Sequence, residues 1–415
     1  MSKSIIFENA RILDGSSEQG GYDQFIRVDG EKIDEVSDRP IEDNNARRID
    51  LRGKTLMPGL IDCHVHVIAA MLDLGKNANL PDVLVAFHAA HIMRDMLHRG
   101  FTTVRDLGGA SHGLVEAVEQ GLIPGPRLVI CGKALSQTGG HTDFRGRYDN
   151  RDPDYQTRRL GAMGRLCDGI DDCRRAARDE LRQGATFLKI MANGGVASPT
   201  DPIAYLGFSK DEIVAVVEEA SNAQTYVAAH LYTDQAIARA VQCGVRSVEH
   251  ANLIEAPTAK LMREKGAIAC PTLVTYEALK NEGESLGLPP ASVAKIDDVR
   301  LKSPRSLEIM SEAKVKMAYG TDLLGPLHRH QSEEFVIRGR VLPAIEVIRA
   351  TTGYAAELIG MQGKIGVVAS GAYADLIVVD GDPLADLAVL TGQGRHLPMI
   401  MKGGGFVKDE ISRLN

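Results

Sequence analysis

Apolar positions along this chain repeat with two different periods. Near both ends they come in short alternating runs, the period of half-buried strands. The N-terminal runs are residues 4–7, 10–13, 25–28, 32–36 and 46–51, parted by Gly and Asp turns; residues 371–380 and a segment near 398–401 match them at the far end. Between the ends, apolar strands at 60–67, 102–107, 127–131, 186–191, 226–231, 247–250, 267–271 and 316–321 alternate with amphipathic stretches such as 82–99, 171–183, 210–222 and 233–243. Eight strand–helix units predict an α/β fold, a (β/α)8 TIM barrel, with chemistry at the C-terminal strand ends. The economical arrangement inserts that barrel (59–365) into a small β-sandwich domain built from both termini (1–58 plus 366–415). Gln137 to about Gly169 is too long and too rich in Arg, Asp and Gly for a plain connection, so a lid or binding element is expected there.

Composition narrows the classes. The 415 residues are 44% hydrophobic and 25% charged, an ordinary globular profile. A net charge of −7 without a long basic run argues against nucleic acid as a partner. No signal peptide is evident and no apolar run reaches about 18 residues, so no membrane span is expected. Six scattered cysteines, none in a CxxC pair, read as reduced structural thiols in a cytoplasmic protein.

Candidate chemistry begins at Met57-Pro-Gly-Leu-Ile-Asp-Cys-His64-Val-His66. Alternate residues of a strand share a face, so both imidazoles point one way and suit one divalent ion; a pair of histidines satisfied inside a core is the alternative. Cys63 falls on the opposite face. Later strands add Lys189 within an apolar run, His230 and His250 at strand ends, and Asp322 after Thr321. Singly, a buried lysine pairs with a carboxylate and a strand-end Asp caps a helix. Jointly, the six converge on one barrel mouth.

These residues, with the split β domain and the phrase Ala374-Asp-Leu-Ile-Val-Val-Asp380, make the chain resemble the amidohydrolase superfamily over essentially its whole length. The resemblance implies two divalent metal ions, usually zinc: one held by His64, His66 and Asp322, the other by His230 and His250. Lys189, N-carboxylated by CO2, would bridge them with a hydroxide, and Asp322 would carry the catalytic proton. Within the superfamily, Ser136-Gln-Thr-Gly-Gly-His141-Thr-Asp143, Ala192-Asn-Gly-Gly-Val196 and His230-Leu-Tyr232-Thr233 resemble a branch of imidazolonepropionase-like proteins and Xaa-Pro dipeptidases and carboxypeptidases. There, residues matching His141 and Tyr232 contact the substrate's carbonyl or carboxylate; a loop-ordering contact for His141 and core packing for Tyr232 are the alternatives.

Retention of Lys189 points to the two-metal peptidase side. The expected function is therefore metal-dependent cleavage of an amide bond in small dipeptides, Xaa-Pro above all. Hydrolysis of a cyclic amide or imidazolone is the same-class alternative, and a non-catalytic scaffold of the same fold is the other. Arg145, Arg147, Arg151, Arg158 and Arg159 are candidates to attract a substrate carboxylate, or simply form a solvated loop. His88, His91 and His98 fall on an outer helix, His112 and His396 carry no signal, and a role beside the site is open for His328 and His330. A homo-oligomer is expected from the resemblance alone.

Overall fold

A computed structural model describes residues 4–15, 20–152, 154–198 and 200–412. Residues 1–3 and 413–415, at the extremes of the expected sandwich, and Pro153 in the expected lid lie outside the described residues. The N-terminal runs fold as β1 (Ile5–Ile12), β2 (Gly21–Asp29), β3 (Lys32–Ser37), β4 (Arg47–Asp50) and β5 (Thr55–Pro58). Two runs of the sequence prove to be the single strand β1. Asn9 adopts a left-handed backbone (φ 54°) in a register shift between Phe7 and Ala10, which breaks the alternation without ending the strand.

The chain then passes through Gly59 into β6 (Leu60–Val65), followed by β7 (Phe101–Asp106), β8 (Arg127–Ile130), β9 (Ala134–Ser136), β10 (Gly164–Leu166), β11 (Leu188–Met191), β12 (Val227–Thr233), β13 (Ser247–Leu253) and β14 (Ile268–Cys270). β6, β7 and β8 form one parallel sheet, and β10-β9-β11-β12-β13-β14 another. Thr186 N donates to Ile130 O and joins the two sheets. On the other side, residues 316–321 bridge β14 to β6, through Ala269 N to Lys316 O and Cys63 N to Tyr319 O. This ring is consistent with a TIM barrel.

Residues 316–321, expected as the eighth strand, occupy the right place but carry a single bridge, Met317 to Ala269. Tyr319 N turns instead to Ala350 O on the helix Ala344–Thr351. Gly320 is required there, because a Cβ would lie 2.5 Å from Cys270 Sγ and 2.9 Å from the His64 Cβ. The amphipathic stretches fold close to expectation, as Asp82–His98, Ile170–Arg182, Lys210–Asn222 and Asp234–Gln242. A capping box between Ser209 and Glu212 fixes the start of the third.

The C-terminal strands β15 (Leu376–Val379), β16 (Met399–Lys402) and β17 (Gly405–Asp409) return to the N-terminal ones. The two ends, expected as a sandwich, hydrogen-bond into one eight-stranded sheet ordered β17-β16-β15-β5-β1-β2-β3, with β4 on β1. Its core, which includes Phe7, Ile26, Ile49, Leu56, Leu376 and Met401, is separate from the large cluster that fills and surrounds the barrel. No helix among the described residues is long and apolar enough to cross a membrane.

Candidate active site

His64 and His66 leave β6 on the same side, both buried, with ring centroids 5.4 Å apart. Parallel pairing places Met191 opposite His230 and Leu231 opposite His250, so β11, β12 and β13 deliver Lys189, His230 and His250 side by side. The His250 ring lies 4.8 Å from that of His64 and 4.7 Å from that of His230. Asp322 faces them from beyond the eighth segment: its Oδ1 is 3.1 Å from His66 Nε2 and 3.4 Å from His64 Nε2. All six residues, with His141 and Tyr232, line one cavity that opens to solvent. Every site residue expected from the sequence is thus brought together.

Two of the six sit on strained backbone. His250 (φ 71°) and Asp322 (φ 52°) are left-handed although neither is glycine. Such a conformation costs on the order of 1–3 kcal/mol and persists where surrounding structure enforces it. Both side chains line the cavity.

The electrostatics suit a cation. Burial pushes the His230 and His250 imidazoles well below the usual histidine range, leaving neutral rings of the kind that bind metals. Burial likewise lowers the Lys189 ammonium, favouring the free amine, the form able to add CO2. Burial alone would raise the Asp322 carboxyl, but His64 and hydrogen bonds from His64 and His66 outweigh it and hold it well below its ordinary value. The donor atoms of His64, His250 and Asp322 lie within 4.8 Å of one another, close enough to share one ion. Asp322 is also the open member: its side chain is 21% exposed, against 1% for His64 and 5% for His66.

Several site residues were not anticipated. Behind His64, its Nδ1 lies 2.9 Å from Glu249 Oε2, and Glu249 in turn accepts from Arg105 Nη2 (2.8 Å) and Ser247 Oγ (2.5 Å). Both charged side chains are wholly buried. Burial would raise the Glu249 carboxyl; Arg105 and His64 overcome it and keep it ionised. A charge inside each apolar strand was the available signal. Tyr276 donates to the Tyr232 hydroxyl (3.0 Å), and Asn193 Oδ1 accepts from Tyr232 N and Thr233 N (2.8 Å each), fixing the end of β12. His141 Nδ1 lies 3.2 Å from Asp201 Oδ2.

Other candidates fall away from the cavity. Arg145, Arg151 and Arg159 are engaged by Asp143, Asp149 and Asp82. His88, His91 and His98 are exposed on the outer helix. His328 is buried with Nε2 3.3 Å from Ala69 O, and His330 sits between Glu282 and Glu333. The expected lid holds the short helix Asp154–Thr157 and the strand β10, and contributes His141, Thr142, Phe144 and Met163 to the cavity.

Known proteins share this fold and much of this sequence. A crystal structure of an amidohydrolase superposes with a TM-score of 0.97 at 53% identity, covering 98% of this chain and 100% of that one. A prolidase crystallised with N-methylphosphonate-L-proline does so with the same TM-score and coverage at 51% identity. Ochratoxinase from Aspergillus niger is 32% identical over 374 residues, 86% of this chain and 76% of the fungal protein. The sequence pattern of the amidohydrolase family matches residues 55–404, a span that contains every residue of the cavity, and the chain belongs to that family.

Proposed function

We propose that this protein is a binuclear metal-dependent hydrolase that cleaves small dipeptides with a C-terminal proline. The observation that carries the reading is the likeness, at 51% identity over nearly the whole chain, to a prolidase holding N-methylphosphonate-L-proline. A tetrahedral phosphorus on a proline nitrogen has the shape of water adding to an acyl-proline amide, and transition-state mimics of that kind bind tightly. The cavity of this chain supports the same use. Leu74, Phe144, Met163, Val196, Leu279 and Leu288 make its wall apolar, suited to a pyrrolidine ring and an aliphatic side chain.

In this reading His64, His66, Lys189, His230, His250 and Asp322 would hold two divalent ions, zinc being the expected metal and Lys189 being carboxylated. Bound ions supply Lewis acidity toward water and the scissile carbonyl. Asp322, the exposed member, takes a proton from the attacking water as its oxygen bonds to the carbonyl carbon. It then returns that proton to the proline nitrogen as the C–N bond breaks, so the secondary amine leaves neutral. His141 and Tyr232 hold the carbonyl oxygen or the substrate carboxylate through hydrogen bonds. The terminal sheet (1–58 plus 366–415) serves as a companion domain to the barrel (59–365), and small peptides of the cytoplasm are the expected substrates.

The test is a substrate panel with enzyme loaded with zinc and bicarbonate: Xaa-Pro and other dipeptides, N-acyl amino acids, ochratoxin and cyclic amides. Hydrolysis of Xaa-Pro, abolished by a chelator and restored by metal, is expected. Turnover of a cyclic amide with no dipeptide cleaved would overturn the reading.

A further inference from the structure

His141 is held more rigidly than a loop histidine requires. Its ring stacks on that of His230, with centroids 4.2 Å apart and planes 16° from parallel. The backbone of Gly195 lies so close that a Cβ there would fall 2.0 Å from the ring Cε1. Asp201 Oδ2 faces Nδ1 at 3.2 Å and also accepts from Gly195 N at 3.2 Å. The Asp201 side chain is itself only 3% exposed, and its Oδ1 is buried without a hydrogen-bond partner among the described residues. A buried carboxylate with half its accepting capacity unused is costly. Folding alone does not call for one here.

The loop that carries Asp201 is clamped from two sides. Lys295 Nζ donates to three of its carbonyls, Gly195 O (2.8 Å), Ser198 O (2.9 Å) and Asp201 O (3.1 Å), which uses all three ammonium protons. Asn193 Nδ2 donates to Ile203 O (2.8 Å) and Tyr205 O (2.5 Å) on the same loop. Asn193 is also the residue whose Oδ1 holds the backbone of Tyr232. Asn193 therefore ties the loop that faces His141 to the strand that carries Tyr232.

We infer that Asp201 is a positioning residue for amide hydrolysis, acting through His141, and that Lys295 pins the loop that presents it. The inference rests on the proposed amide-cleaving function. Asp201 commits Nδ1 of the ring, so Nε2 is the nitrogen left to meet the scissile carbonyl oxygen. Stacking on His230 and the Gly195 backbone stop the ring from turning away. A carboxylate that accepts from Nδ1–H also offsets positive charge on the ring while Nε2 donates a hydrogen bond, without transfer of the proton, to the developing oxyanion.

The test combines Asp201→Asn with His141→Gln in the metal-loaded enzyme. Asp201→Asn alone is expected to lower kcat about 10- to 100-fold, with KM nearly unchanged. In the His141→Gln background the same substitution is expected to have less than about a twofold further effect, because its route of action is already gone. Lys295→Met is expected to repeat this pattern with a smaller loss. Full activity in Asp201→Asn, or equal losses in both backgrounds, would overturn the inference. A second readout needs no substrate: in ring-15N-histidine protein, the His141 Nδ1–H signal, assigned with His141→Gln, is present in the wild type and lost or shifted in Asp201→Asn. An identical signal in both proteins would refute the contact. A wild type that shows the signal but cleaves no amide would instead sink the proposed function, and with it the catalytic role of Asp201.

Discussion

Substituting Glu249 separates what the fold needs from what the metal site needs. Glu249→Gln keeps the side-chain volume but removes the charge that faces Arg105 and leaves one acceptor oxygen where two served Arg105, Ser247 and His64 Nδ1. Arg105 is then a wholly buried cation without its counter-ion, and breaking a buried pair from one side costs about 3–5 kcal/mol. Unfolding entropy of about 2.1 cal/mol/K per residue over 415 residues is roughly 0.9 kcal/mol/K, so the metal-free protein should lose about 3–6 °C in Tm. His64 also loses the anionic partner that fixes its tautomer and ring plane, which should weaken metal binding about 10- to 100-fold. Calorimetry of metal-free protein reads the first effect, and competition with a chromophoric chelator reads the second. Replacing both charges, Arg105→Met with Glu249→Leu, should recover most of the stability, since a buried pair exchanged for apolar groups is often neutral. It should not recover metal affinity. Wild-type metal affinity in Glu249→Gln would refute the idea that this carboxylate orients His64.

Two further outcomes follow from buried groups. Lys189→Ala should abolish hydrolysis and metal retention, with partial rescue by short carboxylic acids that stand in for the carbamate; full turnover in the variant would exclude a bridging role. Burial, reinforced by the nearby Arg99 guanidinium, pushes the His328 imidazole down to about 3, against about 6.5 in an unfolded chain. Between those values the unfolded chain binds the extra proton, so stability is lost as pH falls through the window. The loss from pH 7 to 5 is about 2 kcal/mol for this group. Urea denaturation of wild type and His328→Asn at pH 7 and 5 should show that increment only in the wild type, and equal pH slopes would contradict it.

Much of the architecture was legible along the chain because local periodicity and strand-end chemistry are short-range signals. The 3.6-residue pattern located the helix Lys210–Asn222 to the residue, and the alternation in His64-Val65-His66 gave both imidazoles one face. Misreadings came where non-local contacts override the pattern. Asn9 bends β1 by a bulge that periodicity sees as a gap. Residues 316–321 look like a strand, yet the Ala350 carbonyl draws off the amide of Tyr319. β5 was overlooked entirely, being only four residues long and given strand form by β1 and β15 on either side. Glu249 and Arg105 stood in view as charges within apolar strands, but only pairing across the barrel shows that each neutralises the other.

The sequence by itself singled out the residues that the proposed metal chemistry would use and the strands that carry most of them, because residue type and strand period are local properties. Tertiary structure alone decided how they are held. The order β6, β7, β8, β11, β12, β13 and β14 around the ring sets His250 beside His64, and His250 and Asp322, both on left-handed backbone, line the same cavity. Loops distant in sequence bring Asp201 to His141 and Lys295 to the carbonyls of residues 195–201. Those contacts span 60 to 100 residues of chain, and their worth depends on burial and on distances of about 3 Å, neither of which a one-dimensional pattern encodes.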